Sequence, residues 1–197
     1  MPVDIYVGTK ELKSIQIKLG DLQKQTPGAT ASALNRTLSF AYMQIGREVS
    51  KEYEISAAKV KKTLYKHPAS KSKLYAYISS VGRTLSLGSF PFSPKQVGTK
   101  RQIKVKIKRQ EGFKPVKTDP KAFTQRTGGE GTPMNVFRRL GPKRLPITVL
   151  RTLSVPQMIG EEKIMNRIQD LANKKLQERI DHEINWRLEK AAGKVKS

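Results

Sequence analysis

Hydrophobic residues early in the chain recur three and four positions apart, the interval at which side chains share one face of a helix. The first such stripe predicts a helix over residues 9–24, and its members are Leu12, Ile15, Leu19 and Leu22. Pro27 and Gly28 interrupt the pattern. A stronger stripe then runs from Leu34 to Val49 and predicts a second helix that ends near Tyr53.

A short third helix is predicted to follow. Ser56 is placed to cap its first turn, and Val60 and Leu64 supply its buried side. His67 stands before Pro68, and a residue before proline is disfavoured in helical geometry. Residues 1–66 are therefore predicted to form a helical N-terminal region.

From residue 67 the period changes to the alternation of strands. The stretch KLYAYISSVG, residues 73–82, alternates aliphatic with tyrosine side chains. In QIKVKIKR, residues 102–109, isoleucine and valine face one way while Lys104, Lys106 and Lys108 face the other. Residues 110–134 lack periodicity and are predicted to be an exposed loop. NVFRRLG and LPITVLR predict two more strands, so residues 67–154 are expected to form a small, basic antiparallel sheet with long loops.

Helical spacing returns after Pro156, and residues 155–197 are predicted to form a long C-terminal helix. Its apolar stripe includes Ile164, Ile168, Leu171 and Leu176. At 1.5 Å per residue such a helix would be roughly 45–50 Å long, more than the width of a small domain. We therefore expect part of it to project or to pack on another subunit. The predicted fold class is α+β, with the three segments in one compact domain.

Composition favours binding over catalysis. The 197 residues carry 39 Lys and Arg against 16 Asp and Glu, a net charge of +23, which suits a polyanion or an acidic protein surface. Without cysteine, thiol catalysis and thiolate metal sites are excluded. His67 and His182 have no carboxylate at ligand spacing, and GGEG at 128–131 lacks the Lys-Ser/Thr of a phosphate-binding loop. We expect no enzymatic activity, cofactor or metal.

The N-terminus lacks the apolar core of a signal peptide, and no apolar run approaches the roughly 18 residues of a membrane span. We therefore expect synthesis in the cytoplasm and no membrane partner.

Positive charge is concentrated between residues 95 and 151, where 16 basic residues stand against three acidic ones. The candidate contacts with DNA or an acidic partner are Lys104, Lys106, Lys108, Arg109, Arg138, Arg139, Lys143 and Arg144. These residues could hold phosphates without reading bases, which would make the chain a non-sequence-specific nucleic-acid-binding protein. Aromatic residues are not interleaved with the lysines, so base stacking is not indicated. The alternative is that the same residues meet acidic surfaces of neighbouring proteins, or line a DNA conduit without binding the DNA tightly.

The sequence SVPQ joins the last predicted strand to the long helix. Val155 and Pro156 end the strand, and Ser154 and Gln157 flank them. We interpret these four residues as a structural corner that sets the direction of an assembly helix. The basic residues before it form a separate feature.

Four segments in this order resemble the prophage minor tail protein Z family. They are ALNRTLSFAYMQIGREVSKEYEISAAKVKKTL, SKLYAYISSVGRTLSLGSF, RLPITVLRTLSVPQMIG and LQERIDHEI, and they span roughly residues 31–185. The Leu-Asn-Arg helix, the Gly-Arg turn with its spaced leucines, and the LPI–SVPQM corner carry the likeness.

The resemblance implies a structural virion protein without enzymatic activity, a tail-completion or neck component at the head-proximal end of a phage tail. It implies a role in tail maturation and head–tail joining, after assembly in the host cytoplasm. Such proteins usually form closed rings around the DNA channel, so a hexameric homo-oligomer is expected. The expected neighbours are the tail terminator, tail tube and connector, with DNA passing through the channel.

Overall fold

A computed structural model describes residues 3–7, 24–98, 101–126, 128 and 131–193. The helices are α1 (Thr26–Glu52), α2 (Ala57–Lys61), α3 (Val155–Ile159) and α4 (Glu162–Ala191). The strands are β1 (Val3–Val7), β2 (Leu64–His67), β3 (Ala76–Ser80), β4 (Thr84–Ser86), β5 (Phe92–Ser93), β6 (Lys104–Val105), β7 (Lys114–Pro115), β8 (Phe123–Arg126), β9 (Met134–Arg139), β10 (Ile147–Val149) and β11 (Arg151–Ser154). The α+β prediction is confirmed. The helix predicted over residues 9–24 lies outside the described residues, apart from Lys24.

The two long helices form an antiparallel pair that organises the fold. Their side-chain contacts run in opposite directions: Ser32 and Arg36 of α1 meet Glu183 of α4, whereas Glu48 of α1 meets Arg167. Helix α1 is rich in alanine on its inner side, which lets the two helices approach closely. The pairing explains why helices so distant in sequence are both long.

One row of α4 side chains is buried at intervals of four residues. The row consists of Ile164, Ile168, Ala172, Leu176, Ile180 and Ile184. This row is part of one hydrophobic core, to which residues of α1, the sheets and α3 also contribute. Leu171, which the stripe included, is only half-buried.

The helix α4 does not need a second subunit to cover this row. With 30 residues it is about 45 Å long, as predicted, but α1, with 27 residues, covers it over most of that length. Only the last turns leave large apolar side chains exposed, at Trp186 and Leu188. Because α1 covers the buried row, the length of α4 gives no argument for oligomerisation. The sequence pattern did not show that α1 would lie antiparallel beside α4.

The strands of the described residues form four small antiparallel sheets, whereas one sheet was predicted. Their orders are β1-β3-β2, β10-β9-β8, β11-β4 and β5-β6-β7. Strand β3 follows the predicted alternation, with Ala76, Ile78 and Ser80 buried. The sheets stay small because turns and bulges interrupt the strands, as between Arg151 and Ser154 of β11.

Three local predictions need correction. Helix α2 begins after the Ser56 cap as expected, but it ends at Lys61, and the buried Leu64 begins strand β2. The exposed loop predicted over 110–134 contains β7, which pairs with β6, and β8, which pairs with β9.

The third correction concerns the strand predicted over 102–109, which shrinks to β6. Beyond β6 the backbone turns to the end of α1 for its hydrogen bonds. The Glu54 amide donates to the Ile107 carbonyl at 2.8 Å, and the Arg109 amide donates to the Glu52 carbonyl at 2.8 Å. Alternation holds at Ile103 and Val105, which are buried, whereas Lys106, Ile107 and Lys108 are all half-buried after the backbone partner changes.

Candidate interaction surfaces

Three of the four candidate cations in the segment 104–109 are held by carboxylates of the same chain. Lys106 Nζ lies 2.9 Å from Glu54 Oε1, and Arg109 lies 3.8 Å from the other oxygen of Glu54. Lys108 Nζ lies 2.7 Å from Glu161 Oε1. Lys104, the fourth, is exposed. The segment is therefore less of an open basic face than its sequence indicates.

Glu161 is the centre of this polar network. It lies between α3 and α4, where it accepts a hydrogen bond from the Tyr53 hydroxyl at 2.7 Å besides the bond from Lys108. Those two bonds hold the pKa of Glu161 below its usual value. Burial and the bond to Glu161 raise the pKa of Tyr53, which stays a protonated donor. The network ties the end of α1, the 104–109 segment and the start of α4 together.

More carboxylates of α1 continue the network along α4. Lys163 lies 2.8 Å from Glu52, and Arg167 lies 3.3 Å from the buried Glu48. Most of the negative charge of the α1 end is thus used to hold α4 in place. Such pairs fix the geometry of the joint more than they add stability.

The second group of candidate cations lies on the hairpin between β9 and β10. Arg138 and Arg139 end β9, while Lys143 and Arg144 are exposed in the connecting turn. The Arg139 guanidinium donates a hydrogen bond to the Arg144 carbonyl, which closes the turn. Leu140 and Leu145 are more than half exposed beside these cations, although the pattern placed Leu145 in a strand. The tip is therefore both cationic and apolar.

A cleft of about 940 Å³ opens beside this hairpin. Among the described residues of its lining, the cations are Arg101, Lys117, Lys121 and Arg139, and Asp119 is the one acidic residue. Arg139 is the one predicted contact residue that lines the cleft. The other three cations were not predicted as contacts from the sequence. Their proximity depends on β7 and β8 folding back on β6 and β9, in a region predicted to be a loop.

The sequence analysis also did not predict a cluster of three rings on another sheet, formed by His67, Tyr75 and Tyr77. The His67 ring stacks on Tyr77 at 4.2 Å between centroids, and Tyr75 lies 6.3 Å from Tyr77. The alternation of Tyr75 and Tyr77 was visible in the sequence, but the pairing of β2 with β3, which adds His67, was not.

The Ser154 corner forms a capping box at the start of α3. Ser154 Oγ accepts a bond from the Gln157 amide at 3.4 Å, and Gln157 Oε1 accepts one from the Ser154 amide at 2.8 Å. Val155 and Pro156 are buried in the first turn. The corner begins the one-turn helix α3, and Gly160 follows α3 before α4 begins. The chain therefore changes direction in two steps between β11 and α4.

Within the described ranges, no group of three or more His, Cys, Asp or Glu side chains could hold a metal ion. Likewise, no helix in the part of the chain that the structure describes is long and apolar enough to span a membrane.

Comparison with known proteins gives one match. The family model described as prophage minor tail protein Z (GPZ) matches residues 10–192, more of the chain than the four resembling segments span. No curated protein and no solved structure matches the chain.

Proposed function

Because the chain belongs to the prophage minor tail protein Z family, we propose that it is the tail-completion or neck component at the head-proximal end of the tail. The family is one of phage tail proteins, and the chain is accordingly a structural component of a phage tail. The finer position is our proposal, and the family match over residues 10–192 is the observation that carries it. In this role the chain completes the tail and prepares it for joining to the head.

We propose that the chain acts as a closed, hexameric ring around the DNA channel. Cyclic assemblies are the usual form of soluble homo-oligomers, and a channel needs one. A ring of copies that each carry +23 would repel itself unless a polyanion or acidic neighbours compensated the charge. DNA in the channel and the tail terminator, tail tube and connector are the partners that would do so. Assembly takes place in the host cytoplasm before the chain becomes part of the virion.

Position in the particle tests the proposal. A phage that carries a stop codon in this coding sequence should produce tails and filled heads that fail to make infectious particles, and the full chain supplied in trans should restore them. In images of complemented particles, a tag on the chain should lie at the head–tail junction. Density at the distal tip of the tail would refute the proposed position, while membership of the tail would stand.

The second candidate is a non-sequence-specific nucleic-acid-binding protein without an assembly role. The excess of positive charge and the exposed Lys104 and hairpin cations favour it. Such binding should weaken with salt, with a log–log slope of about −0.9 for each duplex phosphate contacted. Tight, steeply salt-dependent DNA binding by a chain that neither forms rings nor attaches to tails would favour this candidate over tail completion.

A further inference from the structure

We propose that the cleft beside the β9–β10 hairpin is a docking site for an acidic peptide segment of a neighbouring protein. The cleft presents four cations, Arg101, Lys117, Lys121 and Arg139, and Asp119 is the one carboxylate among the described residues of its lining. Carboxylates are the groups that guanidinium and ammonium donors bind best among protein side chains. This inference deepens the proposed function. It rests on the proposed function only in one respect, namely that the partner is a component of the tail.

The cleft differs from the basic segment that the sequence drew attention to. Lys106 and Lys108 already have carboxylate partners within the chain, at 2.9 and 2.7 Å. Lys117 and Lys121 are exposed, and no carboxylate lies in salt-bridge contact with either among the described residues. A partner that binds in the cleft therefore does not have to break an existing ion pair of these two lysines.

The lining suits a peptide better than a nucleic acid. The floor includes the buried Ile103 and the half-buried Val116 and Ala122, against which aliphatic side chains can pack. Phe123 is the one aromatic ring among the lining residues that the structure describes. Phe137 stacks on it at 6.0 Å, and the Arg139 guanidinium lies 5.1 Å from its centre, so the ring already has two partners within the chain, which disfavours its use as a stacking platform for a base. About 940 Å³ is also the volume of a cleft that encloses a small molecule or a few residues, whereas a DNA duplex is bound across a broad surface.

Two features at the cleft add to the requirement for a partner. The buried Thr118 hydroxyl makes no hydrogen bond within the described part of the chain, and a carboxylate could accept one from it. Leu140 and Leu145 on the adjoining hairpin are 56% and 66% exposed, which favours a segment that carries apolar as well as acidic side chains.

A second copy of this chain is a poor occupant. The chain has 16 acidic residues in total against 39 basic ones, and the carboxylates of Glu48, Glu52, Glu54, Glu161 and Glu183 are engaged in ion pairs. The occupant is therefore a different and acidic protein.

The test measures binding of fluorescein-labelled hexaglutamate to the full chain. Lys117→Gln with Lys121→Gln removes two cleft charges, and Lys59→Gln with Lys62→Gln removes two equally exposed lysine charges elsewhere, so both variants have the same net charge. We expect the cleft variant to bind hexaglutamate roughly tenfold more weakly and the control to bind like wild type. Arg139→Gln should weaken binding as well, and circular dichroism should show all variants folded.

Three results would overturn the inference. Equal weakening in both double variants would mean that only net charge matters. Displacement of hexaglutamate by millimolar inorganic phosphate would make the cleft a site for small anions. Loss of binding to a 20-base-pair duplex in the cleft variant, with hexaglutamate binding unchanged, would make it a nucleic-acid site. Each result concerns the isolated chain, so the position of the protein in the particle would be unaffected.

Discussion

Lys108 Nζ lies 2.7 Å from Glu161 Oε1, and this pair joins the middle of the chain to the first residue before α4. The same carboxylate accepts a hydrogen bond from the Tyr53 hydroxyl at 2.7 Å. The bond to Glu161 also raises the pKa of Lys108. Lys108, which the sequence indicates as a surface contact, therefore belongs to the network that fixes the start of α4.

Glu161→Gln should lower the free energy of unfolding by about 1 kcal/mol at pH 7, because it removes the charge that faces Lys108 but keeps an acceptor for Tyr53. The pKa of Glu161 is lower in the folded chain than its unfolded value of about 4.3. Below that value the unfolded chain binds more protons, so the contribution is complete above about pH 5 and is lost as the pH falls through the folded pKa.

Urea unfolding at pH 7 and pH 3 measures this difference. The gap between wild type and Glu161→Gln should shrink at pH 3. Asp170→Asn, on the exposed side of α4, is the control and should shift stability by less than about 0.5 kcal/mol at either pH. A gap that stays constant between the two pH values would contradict the role assigned to the carboxylate.

The buried row of α4 makes a different prediction for two residues of the same stripe. Ile168 is fully buried, so Ile168→Ala should cost about 2–4 kcal/mol through lost burial and the cavity left behind. Leu171 is half-buried, and Leu171→Ala should cost about 1 kcal/mol. Chemical denaturation of both variants measures the two costs. A cost at Leu171 equal to that at Ile168 would mean that Leu171 is covered by another subunit.

Helices and their caps were predictable because their causes are local. Ser56 caps α2, and the Ser154 corner starts a helix, as residue types at those positions indicate. The family resemblance, based on four segments, was also confirmed. The division of the chain at residues 66 and 154 into three regions stays a prediction.

Pairings between distant segments were not predictable. Nothing near Glu161 in the sequence indicates Lys108, and nothing near Arg139 indicates Lys117 or Lys121, because their proximity depends on which strands pair. The strand predicted over 102–109 illustrates the limit: burial alternates only over residues 102–105, and β6 is only Lys104–Val105 because the backbone partner changes after it.

Glu183 is the buried carboxylate that joins the far ends of the long helices. It accepts a bond from Ser32 at 2.7 Å and pairs with Arg36 and Arg187. Burial would raise the pKa of Glu183, but the bonds from Arg187 and Ser32 prevail and lower it. Glu183→Gln should cost about 2–3 kcal/mol, because it leaves the largely buried Arg187 without a counter-ion.

The matched control is Glu178→Gln on the same helix, where Glu178 forms an exposed pair with Lys175 at 2.7 Å. It should cost less than about 0.5 kcal/mol in the same denaturation experiment. Similar costs at the two positions would show that the Glu183 cluster adds nothing beyond a surface pair.

Gly88 lies where no side chain fits. A Cβ there would lie 2.1 Å from Asn135 Oδ1 and 2.8 Å from the Met134 carbonyl oxygen, and the second neighbour is backbone of β9 that cannot turn aside. Gly88→Ala should therefore cost about 1–3 kcal/mol. Gly141→Ala, with nothing within 4 Å, should change stability by less than about 0.5 kcal/mol. Thermal unfolding compares the two, and equal melting temperatures would contradict the close approach.

Pro156 provides a test of the assembly role of the Ser154 corner. It is buried in the first turn of α3, and its Cδ lies 3.3 Å from where a Cβ of Gly82 would be. Pro156→Ala keeps the helix start but removes buried ring atoms beside Gly82, so α3 and the attached α4 should be held less firmly. The cations of the β9–β10 hairpin precede the corner and are unchanged. We therefore expect incorporation into particles to fall several-fold while binding to a DNA duplex stays near wild type. Complementation titres and filter binding measure the two, and an equal loss of both would mean that the corner and the basic residues act as one unit.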